Sequence, residues 1–335
     1  MPSPPDHATE ERPTLGGSVP GLREWASTFL IGLFMGSADA VPGVSGGTIA
    51  LIAGIYERLI SAVTAVTPGQ VLAFLKALTP LDGGVSARSA EAVFDEVDGW
   101  FLLTLLTGIV TAVVVVTRAV HVLNEQAPVL LFGFFFGLIA ASAVVLLRAI
   151  SIQSIGAIAA AVVGFAVAFL LSGEVETLFG GGLTIVFLAG MVAVSAMILP
   201  GISGSLLLVI LGQYTRLSET LSVFVDRLAG LVSGGSLDSL VDPGTVVLAF
   251  VGGGLVGLFT ISRLVRYALD RNREVTLAFL VALVVGALRA PVVEVRTEAG
   301  FSTDVLLTFL GVAVVGAVVV LALDWYAADF EIEEI

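Results

Sequence analysis

The sequence predicts an all-α polytopic membrane protein built as an inverted-topology repeat, with two re-entrant hairpins and about six full transmembrane helices. Three observations predict it. The chain is 57% hydrophobic and only 13% charged over 335 residues, where a soluble domain averages about 25% charged. A Pro-Gly-x-Ser-Gly stretch interrupts an apolar run twice, at 42–46 and at 200–204. An odd number of apolar segments accompanies each copy, so the second copy enters the membrane from the opposite side.

The two stretches align without a gap. Pro42, Gly43, Ser45, Gly46, Ile52, Gly54, Tyr56, Arg58 and Leu59 match Pro200, Gly201, Ser203, Gly204, Ile210, Gly212, Tyr214, Arg216 and Leu217. Gly32 matches Gly190 at the same offset. The likeness extends onward, from Thr107-Gly108 through Arg118 to Gly252-Gly253 through Arg263.

Taken in order, residues 1–24 form a polar tail with four prolines by Pro13, expected to be disordered and without the basic start and short apolar core of a signal peptide. The first membrane repeat covers 25–172, with apolar segments 25–38, 44–60, 100–117, 129–147 and 154–172. The second covers 183–323, with segments 183–199, 202–215, 245–262, 275–290 and 304–323. Residues 324–335 read as an acidic C-terminal tail. The longest polar connections are 67–99 and 218–244. Proline and glycine break each motif helix. Such a break is tolerated in a bilayer only where protein or a water-filled cavity surrounds it. An arm of 14 to 17 residues is roughly 21–25 Å long against a hydrocarbon core of about 30 Å, which favours hairpins that turn back inside the bilayer.

Charge sets the orientation. Arg263, Arg266, Arg271 and Arg273 make 263–274 the densest basic cluster, and the positive-inside rule places it in the cytoplasm. Counting from there puts both termini and 67–99 inside, and 118–127 and 218–244 outside. Arg118, Arg148, Arg263 and Arg289 read as helix-terminating topology determinants, with Arg118 at the outer face running against the rule.

A helix begins after each Pro-Gly, and its first N–H groups lack intrahelical partners. With the positive dipole end, they make an anion site. Pro42, Gly43, Ser45, Gly46, Gly47 and Thr48 form one candidate tip, and Pro200, Gly201, Ser203, Gly204 and Ser205 the other. Two facing tips suit a phosphate or a carboxylate. The plainer alternative is that Gly and Ser allow tight turns and close helix packing. Asp39 is the one acid beside a tip; its counterpart is Met197. It is a candidate for proton coupling, or else a brace for the turn. Tyr56, Arg58, Tyr214 and Arg216 read as interfacial anchors, with Arg58 and Arg216 as candidate phosphate contacts at the two faces.

Composition excludes several classes. There is no cysteine, which removes disulfides, thiol catalysis and cysteine-bound metal. His7 and His121 are the only imidazoles, so no metal or cofactor is expected. The net charge of −13, with Lys76 the only lysine, argues against nucleic acid as a partner. The glycine-rich 180–182 and 252–254 lack a Walker lysine or a Rossmann context.

The stretch 36–48, with Ile55-Tyr56-Glu57-Arg58 and 200–205, resembles the polyprenyl-phosphate transporter family, long catalogued as a domain of unknown function. The resemblance covers roughly 22–325. It implies a non-enzymatic transporter in the cytoplasmic membrane that returns undecaprenyl phosphate, or a related polyprenyl-phosphate carrier lipid, for reuse in cell-wall and surface-glycan synthesis. A transporter or channel for a small soluble anion is the rival that the tips alone equally support. A lipid phosphatase lacks a nucleophile with its base or metal. Neither line fixes an oligomeric state.

Overall fold

The computed structural model describes residues 21–67, 69, 70, 92, 94–148, 150, 152–172, 182–197, 203–231 and 234–333, with the side chains of 262 and 327–333 left aside. The expected tail before residue 21, most of the connection 67–99, and Pro200 and Gly201 of the second tip therefore lie outside the described residues.

Every described element is helical. The first half of the chain holds α1 (Leu22–Ala40), α2 (Gly46–Ile52), α3 (Tyr56–Ala65), α4 (Gly99–Gln126), α5 (Pro128–Arg148) and α6 (Ile155–Leu171). The second holds α7 (Leu183–Ala196), α8 (Gly204–Ile210), α9 (Tyr214–Leu231), α10 (Val241–Arg271), α11 (Arg273–Ala287), α12 (Arg289–Glu298) and α13 (Thr303–Glu333). Among the described residues five helical stretches are long and apolar enough to cross a membrane, or six if the bent pair α2 and α3 is one span. α6 and α7 are shorter apolar helices.

The ten expected apolar segments all carry helix, but their breaks differ from the sequence reading. Segments 44–60 and 202–215 are not single arms. Each is interrupted at a glycine in the left-handed region, Gly54 at φ +67° and Gly212 at φ +63°, where side chains are disfavoured. The bend between α2 and α3 is 119°. Tyr56-x-Arg58 and Tyr214-x-Arg216 therefore open separate helices. The expected loops 118–127 and 263–274 are helix almost throughout, because neither 109–126 nor 258–271 contains Gly or Pro. α4 and α10 reach about 42 and 46 Å, longer than a hydrocarbon core of about 30 Å. The polar connection 218–244 likewise contains most of α9, and α13 runs past residue 323 to Glu333.

Two corners show why chain direction changes where it does. Ala127 is followed by Pro128, which opens α5 at the position where a missing N–H costs nothing. Asn272 separates α10 from α11, and its side chain accepts from the Val275 N–H. Beside it, the exposed Glu274 carboxylate accepts from the Gln153 and Ser154 N–H groups at 2.5 and 2.9 Å. Those bonds hold its pKa below the ordinary glutamate value and tie the α5–α6 link to α11.

α1 lies along α4, and α7 along α10; α6 lies along α11, and α5 along α13. Equivalent glycines permit the first two approaches. A Cβ on Gly32 would strike the Leu105 carbonyl oxygen, and one on Gly190 would strike that of Phe250. α5 runs through the centre, with Leu138 and Ile139 fully buried among Leu206, Tyr214, Val284 and Phe309. Leu248, Phe259, Leu307 and Val314 on α10 and α13 are exposed, as lipid-facing side chains are.

Arg148 ends α5 as expected, but Arg118, Arg263 and Arg289 do not terminate helices. Arg118 lies inside α4 and pairs with Asp226 of α9; its Nη1 is 3.3 Å from the Ser222 hydroxyl. Asn124 donates to Glu219 at 3.1 Å, so the projecting end of α4 is docked on α9. Arg263 lies inside α10. Arg289 opens α12, donates to the Phe169 carbonyl at 2.6 Å and stacks on the Phe169 ring at 4.9 Å.

Candidate functional site

The first tip is the five-residue link between α1 and α2. Val41 is extended, Pro42 is fully buried, and Gly43 takes φ +92°. The carbonyls at the end of α1 and in the turn need partners inside an apolar protein. Two come from distant helices. The Tyr214 hydroxyl donates to the Ala40 carbonyl at 2.6 Å. The Ser142 hydroxyl lies 2.6 Å from the Gly43 carbonyl and 2.8 Å from that of Leu138, and donates to one of the two.

The start of α2 is not bare. Asp39 reaches back from the last turn of α1, and its Oδ1 accepts from the Gly46 N–H at 2.7 Å. The Thr48 N–H donates to the Ser45 carbonyl at 3.1 Å. Gly46 is buried, while Ser45, Gly47 and Thr48 are half-buried. A carboxylate therefore already occupies the positive end of this helix, which is where an anion is favoured. Ser45 and Thr48 face a small cavity of about 120 Å³, shared with Ser142 and Asp324.

The second tip is built differently. Met197 stands in place of Asp39, and its thioether packs beside Gly204. Ser203 caps α8, its hydroxyl accepting from the Leu206 N–H at 3.4 Å and lying 2.8 Å from the Ser205 hydroxyl. Ser203, Gly204 and Ser205 are all buried.

Two larger cavities flank the tips. One, of about 400 Å³, is lined by Gly43 of the first tip, Ser203 of the second, and Ser142 and Ser195; Ile261, Val265 and Leu269 of α10 form part of its apolar wall. The other, of about 330 Å³, is lined by Asp39 and Ala40 on one side, Gly204, Ser205 and Tyr214 on the other, and Val247 and Phe250 of α10. From Phe250 to Val265 is about 22 Å along a helix axis. The two cavities therefore lie toward opposite ends of α10, with the tips between them.

The remaining expected residues are divided. Arg58 is committed: Nε donates to Asp98 at 2.6 Å, Nη2 to Asp98 at 3.1 Å and Nη1 to Glu24 at 3.3 Å, with the guanidinium 4.2 Å from the Phe101 ring centre. Arg216 contacts the Gln213 amide oxygen at 3.4 Å. Tyr214 is buried against Phe135, edge to face, rather than at an interface. Ser142, Ser195 and Gln213 escaped the sequence reading. Ser142 and Ser195 had one signal, a lone hydroxyl inside an apolar helix; the glutamine had its place in the repeated Gly-x-Tyr, where the first copy has Ile55. Among the described residues no group of acids and imidazoles is arranged to hold a metal.

A family model described as undecaprenyl phosphate translocase-like matches residues 35–308. A polyprenyl-phosphate transporter of Vibrio cholerae is 33% identical over 264 residues, covering 79% of this chain and 76% of that protein. A polyprenyl-phosphate transporter of Staphylococcus aureus is 28% identical over 317 residues, covering 90% and 97%. No solved structure matches the chain. The match takes in both tips, both flanking cavities and nearly all of the helices that frame them: this multi-pass membrane protein belongs to the undecaprenyl phosphate translocase-like family.

Proposed function

We propose that this protein moves a polyprenyl-phosphate carrier lipid across the cytoplasmic membrane, returning it for reuse in cell-envelope glycan synthesis. The observation that carries the reading is the cavity of about 400 Å³ that touches both tips and is walled by aliphatic side chains. A serine-lined floor and an apolar wall fit an amphiphile with one compact polar head, whereas a soluble anion has no use for the wall. The relatives' names support the same substrate.

The tips are unequal, and that refines where the phosphate goes. Asp39 fills the positive end of α2, and Asp324 lines the cavity of Ser45 and Thr48. Both repel an anion. The phosphate is held instead at the second tip, by Ser203 and Ser205 and the buried start of α8, facing Gly43 and Ser142. The isoprenoid tail leaves between helices into lipid.

Several features support an inverted repeat with re-entrant tips. The contacts are reciprocal: α1 with α4 and α7 with α10 inside each repeat, α6 with α11 and α5 with α13 between them. α2 and α8 have seven residues each, about 10 Å, a third of the core. In this arrangement both termini and the α10–α11 corner are cytoplasmic, and transport alternates access between the two cavities. Protonation of Asp39, which would weaken its hold on Gly46, is the proposed coupling event.

The test is transport of undecaprenyl phosphate in reconstituted vesicles, with undecaprenol and soluble phosphate as competitors. Transport blocked by neither competitor is expected. Uptake of soluble phosphate in place of the lipid would overturn the reading. Ser203→Ala should weaken lipid-phosphate binding about tenfold, the worth of one hydrogen bond to a charged group, and Ser45→Ala much less.

A further inference from the structure

We infer that Arg273, at the mouth of the larger cavity, is the recognition residue for the anionic head of a lipid monophosphate passing between α10 and α11. This deepens the transport reading above and rests on it.

Four observations meet at this side chain. First, among the described residues Arg273 is the one charged residue lining the cavity of about 400 Å³, whose floor is Gly43, Ser142 and Ser203. Second, it forms no ion pair or hydrogen bond among the described residues, although the other long-range pairings of this protein use arginine repeatedly. Third, the acid beside it is taken. One oxygen of the Glu274 carboxylate accepts from the Gln153 and Ser154 N–H groups, and among the described residues no ion pair joins that carboxylate to the guanidinium. Fourth, Arg273 is the first residue of α11. A cation at a helix N-terminus runs against the helix dipole and is mildly unfavourable. A cation placed there, unpaired, exposed and opening onto an apolar cavity, is complementary to one kind of ligand: a compact anion attached to a long apolar chain.

The chemistry favours arginine for this task. Its planar fork takes two phosphate oxygens at once, and it is less strongly hydrated than an ammonium, so it gives up water more readily at an apolar mouth. Between the serines at the floor and Arg273 the head would pass along the α10–α11 wall, past Leu269 and Leu277. Arg58, the arginine first expected to catch phosphate, already has two carboxylates. Arg273 has none.

The experiment measures binding of undecaprenyl phosphate and of undecaprenol to purified full-length protein in nanodiscs, for the parent, Arg273→Gln, Arg273→Lys and Ser203→Ala. Arg273 is exposed, so the variants should melt as the parent does, which is checked by thermal denaturation. Arg273→Gln should weaken phosphate-lipid binding about tenfold or more and leave the alcohol unchanged, and Arg273→Lys should recover part of the loss. Inorganic phosphate should compete far less well than farnesyl phosphate. If Arg273→Gln binds the phosphate lipid as the parent does while Ser203→Ala weakens it, the assignment of Arg273 is overturned and the cavity reading stands. Equal losses for phosphate and alcohol would overturn the assignment as well, by making Arg273 a structural residue. A parent that does not prefer the phosphate lipid over the alcohol overturns both.

Discussion

The bond between Asp39 and Gly46 can be tested as a pair. The structure places two obstacles in front of any side chain at 46. One is the Asp39 carboxylate, with Cγ only 2.7 Å from where a Cβ would be; the other is the Met35 carbonyl oxygen at 2.8 Å. Gly46→Ala must therefore push the carboxylate off the Gly46 N–H, and the Met35 backbone must also shift. The lost bond is to a charged acceptor, worth roughly 1.5–3 kcal/mol, and the stranded N–H adds to that. Overpacking adds about 1–3 kcal/mol. Asp39→Ala loses the bond without the clash, for about 2 kcal/mol. Asp39→Asn keeps an acceptor oxygen and should lose about 1 kcal/mol, the difference between a charged and a neutral bond. The double variant Asp39→Ala, Gly46→Ala breaks the same bond only once and removes one of the two obstacles. It should be less destabilised than the sum of the singles by about 2 kcal/mol. The assay is reversible denaturation in detergent, followed by tryptophan fluorescence, with transport measured on the same preparations. Strictly additive losses, or a Gly46→Ala protein as stable as the parent, would refute the reasoning. Unchanged transport and unchanged pH dependence in Asp39→Asn would leave Asp39 as a cap and end its proposed role in coupling.

Other outcomes follow from the same geometry. Tyr214→Phe should cost about 1–3 kcal/mol by leaving the Ala40 carbonyl unmet, whereas Tyr56→Phe should cost little; thermal denaturation separates them. Single cysteines at Gln126 and Asp270, both exposed near the ends of α4 and α10, should react with an impermeant reagent from opposite sides of the membrane, and labelling from one side would end the inverted-repeat proposal. Glu274 has its pKa lowered by two backbone N–H groups. Its contribution to stability is therefore full above the unfolded value near 4.3 and is lost as pH falls through the lower folded value. Glu274→Gln should flatten the acid limb of a stability-against-pH curve.

What the sequence made legible was the part governed by local rules. Ten apolar runs, a Pro-Gly break in the first tip and the capping acid at Asp39 were all readable from residue type and spacing. The turns at Gly54 and Gly212 were visible as a repeated Gly-x-Tyr, yet the apolar run continues through them, and hydropathy alone does not show a change of direction. Charged stretches were read as loops, but Arg118, Arg263 and Arg266 are borne on helices long enough to leave the hydrocarbon. The partners of the broken backbone were beyond reach. Nothing local connects Tyr214 to Ala40, 174 residues away, or Ser142 to Gly43, 99 residues away.

Those two long-range bonds also say why the halves, alike in sequence, are not alike in structure. The carbonyls left open by the first tip are met by a tyrosine from the second repeat and a serine from α5 at the molecular centre. Tyr214 and Ala40 line one flanking cavity, and Gly43 and Ser142 line the other. Breaking the Tyr214 bond strands the Ala40 carbonyl, for about 1–3 kcal/mol, so the first tip depends on a distant part of the chain for its backbone partners.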